Sequence, residues 1–416
     1  MFYRILSPLL ACVCLWQSTA PVVFPTAEND VPLLSVSTSA ALGNCEDNGV
    51  LSDAGNAAVP LTADSLLTDA VPAPSVSAEA AVLLCADNGA VLYEKNADVP
   101  LPIASITKTM TAIIALEYAQ TNDKAVVFTP DMQAEGSSLY LQAGDTLRLS
   151  ELVKGLMMVS GNDAANAIAV GIAGSTEAFA DLMNRKAQQL GMKHSHFVTP
   201  SGLDDAQHYA SAYDMALLCC YAMQNEQFAA IVSQKKQTVR YLSPEHKTQV
   251  CVNHNRLLSL YDGCIGIKTG FTKKAGRTLT SCAERNGVRL IAVTLHDPDD
   301  WRDHQALFDY GFSLTERNTV LTTEDTFYLP VVGGQADSVA VHPADEVSLT
   351  QLKNTPGTIR LSLMMPHFVY APVTRDQAVG EVVVYHNEQP IAAVKLLTDT
   401  SVELQKEEEL WNTQKK

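Results

Sequence analysis

Three short groups of residues in this chain carry the side chains that serine acyl transfer requires. Ser105 and Lys108 stand three apart in Pro102-Ile103-Ala104-Ser105-Ile106-Thr107-Lys108-Thr109-Met110; Ser160-Gly161-Asn162 follows an apolar run; Lys268-Thr269-Gly270 lies in a segment that alternates like a strand. A spacing of three places Ser105 and Lys108 on one helix face, one turn apart, so the amine can reach the hydroxyl. A serine at a helix start also meets unpaired N–H groups and the positive end of the dipole, which favour a developing oxyanion. A lysine in a first turn is electrostatically misplaced. Buried, and near a second cation, it gives up its proton and can act as general base.

Taken alone, Ser-x-x-Lys is a weak signal, because a capping serine and a lysine that snorkels to solvent give the same pattern. Ser233-Gln234-Lys235-Lys236 fits it too, with nothing around it that resembles a site. Lys-Thr-Gly by itself reads as an ordinary strand end. Ser160-Gly161-Asn162 is better placed, at the junction between Leu156-Met157-Met158-Val159 and an alanine-rich helical pattern from Asp163, where a hydroxyl and an amide can face a cleft. The strength lies in the combination of all three groups, in this order, each in a suitable context.

That combination resembles the three-motif set of penicillin-binding proteins and class A β-lactamases. The flanking segments Ala90 to Asp98, His208 to Ala216 and Asn253 to Leu258 narrow the likeness to the D-alanyl-D-alanine carboxypeptidases, the low-molecular-mass penicillin-binding proteins, over roughly residues 78 to 400. The resemblance implies that Ser105 attacks the carbonyl of a D-Ala-D-Ala terminus while Lys108 takes its proton. Ser160 and Asn162 would complete the proton network and hold the peptide amide. Lys268 and Thr269 would bind the terminal carboxylate, and Lys268 would help keep Lys108 neutral. The backbone N–H groups of Ser105 and Phe271 are the candidates for the oxyanion hole, with Gly270 letting the strand edge approach the substrate. The implied partners are peptidoglycan stem peptides and, as covalent inhibitors, β-lactams; no cofactor and no metal is implied. A class A β-lactamase would carry a Glu-x-x-Leu-Asn segment between the second and third motifs, and none occurs between Asn162 and Lys268. The intact motifs disfavour a non-catalytic wall-associated scaffold. A D,D-endopeptidase uses the same residues and stays open.

The elements that must position these groups follow from periodicity. Ile106, Met110, Ile113 and Ile114 recur at helical spacing after Pro102. Ala80 to Cys85 and Ala90 to Tyr93 flank Asp87-Asn88-Gly89, a hairpin signature. Further helices are expected from about Ser150, from Asp163 to Gly191, from about Ser211 and over Trp301 to Tyr310. Strands are expected over Arg240 to Val252, Ile265 to Thr269, Leu279 to Ala283 and Val288 to Leu295. Strands first, helices in the middle, then strands and a helix imply an α+β fold, an antiparallel sheet with helices on its faces. The resemblance gives the same answer, a β-lactamase/transpeptidase-like domain. After about Arg317, short apolar runs separated by Gly, Pro and Asn turns read as a small all-β domain.

Length and composition set the remaining bounds. With 416 residues, 47% of them hydrophobic, the chain can bury at least one sizeable core, and a net charge of −17 argues against a nucleic-acid binder. Residues 1–20 read as an export signal, 21–77 as a flexible linker, 78–317 as the peptidase domain, 318–400 as the β-rich domain and 401–416 as an acidic tail. A lipidated Cys12 is a minor alternative at the N-terminus. The protein is therefore expected to work outside the cytoplasm, on the cell-wall side of the bacterial membrane. The tail's apolar stripe is thin beside Glu403, Glu407, Glu408 and Glu409, so membrane attachment through it is poorly supported. Of nine cysteines, Cys251 and Cys264 could bracket the approach to Lys268 as a disulfide, though buried thiols are the default. His208 and Arg302 could line the cleft; local packing and a surface ion pair are the favoured readings.

Overall fold

The computed structural model describes residues 71–354 and 357–405. The expected export signal, most of the linker and the tail beyond Gln405 lie outside the described residues. In chain order, β1 (Ala80–Cys85) and β2 (Val91–Lys95) form the expected hairpin, and a 3-10 turn, Ala104–Thr107, leads into α1 (Lys108–Asn122). A short ribbon pairs β3 (Ala125–Val127) with β4 (Thr146–Arg148). Five helices follow: α2 (Leu149–Met158), α3 (Asn162–Ala173), α4 (Thr176–Gln189), α5 (Ala212–Ala222) and α6 (Glu226–Val232). A second ribbon, β5 (Lys236–Arg240) with β6 (Thr248–Val252), and the short α7 (Leu257–Leu260) precede β7 (Cys264–Thr272), β8 (Gly276–Arg285), β9 (Val288–Leu295) and α8 (Asp300–Leu314). The main sheet is antiparallel in the order β2-β1-β9-β8-β7, which leaves β7 at an edge.

Period two in a doubly covered strand explains both cores. Ala80, Val82 and Leu84 of β1 join Ile291 and Val293 of β9 and the helices α1 to α6 on one face, while Ala81, Leu83 and Cys85 join Leu290, Ala292, Leu307 and Phe308 on the α8 face. Each Val, Leu, Ile or Phe among them contributes about 1.5–3 kcal/mol by leaving water. Helix α1 runs through the larger core, and every residue from Lys108 to Leu116 is buried. It therefore has no solvent-facing side in that stretch, and the turn that carries Ser105 is anchored by buried Ala104, Ile106 and Thr107.

Several boundaries differ from the sequence reading for identifiable reasons. The span expected as one helix from Asp163 to Gly191 is two, broken where Gly174 adopts φ +86° and Ser175 caps α4 by accepting from the Ala178 N–H. The expected strand from Arg240 to Val252 is the hairpin of β5 and β6, with Tyr241 to Lys247 as its connection. Cys251 and Cys264 are both free thiols, so the disulfide considered between them is not formed; Cys85, Cys219, Cys220 and Cys282 are also free and buried.

The C-terminal part is all β: β10 (Thr315–Leu321), β11 (Phe327–Val332), β12 (Ser338–Pro343), β13 (Val347–Leu352), β14 (Ile359–Met364), β15 (Val369–Tyr370), β16 (Ala378–His386) and β17 (Gln389–Thr398). Strands β10 and β13 pair, and the other six form one sheet around Leu329, Val341, Val382, Val384 and Leu396. Asn88 and Asp87 of the first hairpin bind the Thr350 carbonyl (3.0 Å) and hydroxyl (2.8 Å), tying this part to the main sheet.

Val76 and Ser77, at the end of the span expected as linker, are docked. Val76 is buried, and Ser77 Oγ lies 2.9 Å from Asp297 Oδ1 and 2.7 Å from Asp303 Oδ2. One hydroxyl hydrogen cannot satisfy two carboxylates, so this contact is best satisfied with a proton on one acid. Burial, with Asp303 adding to it, pushes Asp297 up to about 6. A carboxyl raised above its unfolded value stabilises the fold fully below about pH 4, and that contribution is lost as pH rises through 6. Asp297→Asn, which never ionises, should therefore melt above wild type at pH 8, with the gap closing toward pH 4 in calorimetry.

Candidate active site

The sequence builds the nucleophile turn from both ends. Ala104 adopts φ +50°, and Thr107 Oγ1 donates back to the Ala104 carbonyl at 2.7 Å, closing the 3-10 turn around half-buried Ser105. Ser105 thus sits just before the α-helix rather than inside its first turn. Lys108, the first α-helical residue, is fully buried, and its Nζ lies 2.8 Å from Ser105 Oγ. The same Nζ donates to the Ser201 carbonyl at 2.5 Å. Burial, and then the charge of Lys268, hold the Lys108 amine well below its ordinary value, with Asp163 opposing. A neutral amine that spends one N–H on Ser201 can turn its lone pair to the serine hydroxyl.

Strand β7 supplies the facing wall. Lys268 is buried, donates to the Thr269 carbonyl at 2.8 Å, and is pushed down to about 7 by burial. Gly270 is where the strand meets the nucleophile turn: a β-carbon there would lie 3.0 Å from the Ser105 nitrogen and 3.1 Å from that of Ile106. Its cross-strand partner Thr278 ties the turn to the sheet by donating to the Ile103 carbonyl at 2.9 Å. Phe271, next along the exposed edge, is itself exposed.

The second motif lies at the junction between α2 and α3, where the charge of Asp163 acts on Lys108. Ser160 is buried with φ +59°, and Asn162 opens α3. Asn162 donates from Nδ2 to the Glu135 carbonyl (2.6 Å) and from its backbone to the Ser137 carbonyl (2.7 Å), while its Oδ1 is buried with no partner among the described residues. Asp163 accepts from the N–H groups of Leu139, Leu141 and Ala164 and from the Ser138 hydroxyl. The loop from Glu135 to Leu141 is thereby fastened onto the second motif.

Two positioning features were not assigned from sequence. The loop Thr199 to Gly202 lies on α1: Ser201 takes the Lys108 bond, Pro200 accepts from Thr111 Oγ1 at 2.6 Å, and Gly202, at φ +82°, approaches so closely that a β-carbon would fall 1.9 Å from the Ala104 oxygen. The Pro-Ser-Gly turn was the signal, but nothing in it pointed at Lys108. His208 acts from below: its Nδ1 accepts from Val198 (3.0 Å) and Thr199 (3.2 Å), so its proton is on Nε2, 2.8 Å from Thr107 Oγ1. Burial pushes it down to about 4, and it stays neutral. His208 is a support for the nucleophile turn, and Arg302 is 84% exposed in a 3.8 Å ion pair with Asp299, as the surface reading held. Ser233, Lys235 and Lys236 of the second Ser-x-x-Lys lie at the end of α6 and the start of β5.

A serine hydroxyl 2.8 Å from a buried lysine amine held well below its ordinary value, beside a second buried lysine on a sheet edge, is an arrangement fit for serine acyl transfer. The D-alanyl-D-alanine carboxypeptidase family matches residues 68–299, and the C-terminal domain of penicillin-binding protein 5 matches residues 312–404. D-alanyl-D-alanine carboxypeptidase DacF of Bacillus subtilis (strain 168) is 32% identical over 70% of this chain and 78% of its own, and DacC of Escherichia coli (strain K12) is 33% identical over 72% and 78%. The crystal structure of penicillin binding protein 5 from Haemophilus influenzae superposes with a TM-score of 0.58 at 28% identity, covering 80% of this chain and all of that one. The chain belongs to the D-alanyl-D-alanine carboxypeptidase family of low-molecular-mass penicillin-binding proteins and is a serine-type carboxypeptidase.

His208→Ala would leave the half-buried N–H groups of Val198 and Thr199 unpaired and free the Thr107 hydroxyl. It should lower stability by about 2–3 kcal/mol in chemical denaturation and slow acylation by penicillin in the protein that remains folded. Arg302→Ala should change neither.

Proposed function

We propose that Ser105 removes the terminal D-alanine from peptidoglycan pentapeptides through an acyl-enzyme, with Lys108 as the base. The observation that carries this reading is the 2.8 Å contact between Ser105 Oγ and a fully buried Lys108 amine. Ser105 Oγ attacks the penultimate D-alanyl carbonyl and its proton passes to Lys108 Nζ. The oxyanion lies against the N–H groups of Ser105 and Phe271, donors that typically contribute about 3 kcal/mol each. Collapse expels D-alanine, whose nitrogen takes a proton by way of Ser160, and water then hydrolyses the ester on Ser105. Lys268 and Thr269 hold the substrate's terminal carboxylate, and the unpartnered Oδ1 of Asn162 accepts from a peptide N–H of the bound stem.

The site is placed on the cell-wall side of the membrane, since its substrate is there, and the N-terminal sequence has the pattern of an export signal. Among the described residues no helix is long and apolar enough to cross a membrane. β-Lactams react as substrate mimics and leave Ser105 acylated.

A fluorescent penicillin and a pentapeptide ending in D-Ala-D-Ala test the reading together. Wild type should be labelled and should release D-alanine, and Ser105→Ala should do neither. Labelling without release would contradict the carboxypeptidase reading, and release only from cross-linked dimers would replace it with an endopeptidase. Lys268 must be protonated to hold a carboxylate, so kcat/KM should fall on the alkaline side with a limb starting near 7. Lys268→Arg, which keeps its charge, should lower the neutral-pH rate but move that limb several pH units upward.

A further inference from the structure

Strand β7 carries Lys268, Thr269 and Gly270 and has a single neighbour in the main sheet, β8. Its last residue, Thr272, is held from outside the sheet by the loop that follows α4. Thr272 Oγ1 lies 2.7 Å from Asp204 Oδ1. Among the described residues this is the only hydrogen bond between β7 and the loop from Thr199 to Asp205.

The proton of this contact has one direction to go. Thr272 Oγ1 accepts from the Ala275 N–H at 3.0 Å, which leaves its own hydrogen for the Asp204 carboxylate. The Ala275 carbonyl in turn meets His296 Nδ1 at 3.1 Å, so Thr272 opens a turn that is held at its far end as well. The loop is fastened on its other side to the helices and to His208: Thr111 Oγ1 donates to the Pro200 carbonyl, and the Thr199 N–H donates to His208 Nδ1. Gly202 closes the loop on itself by donating to Thr199 Oγ1 at 3.1 Å, and the Ser201 carbonyl between them takes the N–H of Lys108. Asp204 is exposed, and its side chain makes no other hydrogen bond among the described residues.

We propose that Asp204 is a positioning residue for acyl transfer: by taking the Thr272 hydroxyl it locks the loop that holds Lys108 to the strand that carries Lys268 and Thr269. The proposal rests on the reading above for what that strand binds. A base and the group that anchors its substrate must keep a fixed separation while the serine attacks, and a misplacement of about 1 Å can cost on the order of a hundredfold. The clasp sets that separation at a point where the edge strand has no second neighbour. It also keeps the loop closed over Lys108, whose burial is the first reason its amine sits below the ordinary value. The charged and titratable groups that face Lys108 are Lys268 from β7, Asp163 from α3 and His208 beneath the turn, and cutting the clasp removes none of them.

The test reads the rate of acylation by a fluorescent penicillin across pH, beside D-alanine release from a pentapeptide ending in D-Ala-D-Ala and the melting temperature of each variant. Asp204→Ala and Thr272→Val should each slow acylation about fivefold, the scale of one lost hydrogen bond, and the double variant should be no slower than Thr272→Val alone. In all three the acid limb of the acylation rate should move to higher pH, because water that reaches Lys108 favours its ammonium form. Asp204→Asn, whose amide oxygen still accepts, and Thr272→Ser, which keeps the hydroxyl, should retain most of the rate. A contact that served the fold alone would lower the melting temperature and leave the rate and the limb where they are. That result, or losses that add in the double variant, overturns the inference and leaves the carboxypeptidase reading intact. Wild type that reacts with penicillin but releases no D-alanine overturns the carboxypeptidase reading, while the acylation rates still decide the clasp.

Discussion

The rest of the structure depends on keeping one ammonium group from forming. Lys108 is fully buried at the start of a helix, with the charge of Lys268 near enough to disfavour its own. A buried cation without a paired counter-charge costs several kcal/mol, a penalty that favours the neutral amine. The anion that opposes this, Asp163, makes no hydrogen bond to the amine: three backbone N–H groups and the Ser138 hydroxyl share its two oxygens, and it fastens a loop.

Much of the architecture follows from that requirement. Helix α1 must be buried to dehydrate Lys108, so it runs through the larger core with no solvent-facing side from Lys108 to Leu116. The turn ahead of it is held from four directions: by Thr107 closing on Ala104, by His208 beneath Thr107, by the Pro200 to Gly202 loop, and by Thr278 from the sheet. Gly202 and Gly270 are the two places where backbone approaches the turn so nearly that a methyl group would collide. Order at Ser105 is thus a product of the core and of two missing side chains.

The parts legible in the sequence were those written in local pattern. The hairpin around Asp87-Asn88-Gly89, the helix after Pro102, the long strands Val288–Leu295 and Cys264–Thr272 and the β-rich C-terminal segment each carry their own periodicity. Boundaries set by a single residue were harder: Gly174 divides a pattern that is otherwise continuous, and the β5–β6 hairpin lacks a short turn signature. The site was legible as three motifs because each couples a reactive side chain to a structural junction. Contacts made between segments distant in sequence were not. Nothing in Ser201 marks its carbonyl as the acceptor for Lys108 ninety-three residues earlier, and nothing in His208 points to Thr107 rather than to substrate.

The protonation state of Lys108 is the claim on which the mechanism turns, and it can be observed without substrate. In protein labelled with 15N at lysine Nζ, with the Lys108 resonance assigned by its loss in Lys108→Ala, the amine should have the chemical shift of a neutral group at pH 7 and take up a proton only as the solution is made acidic. A Lys108 signal that is an ammonium at pH 7 and titrates near the ordinary lysine value of about 10.4 would contradict the account.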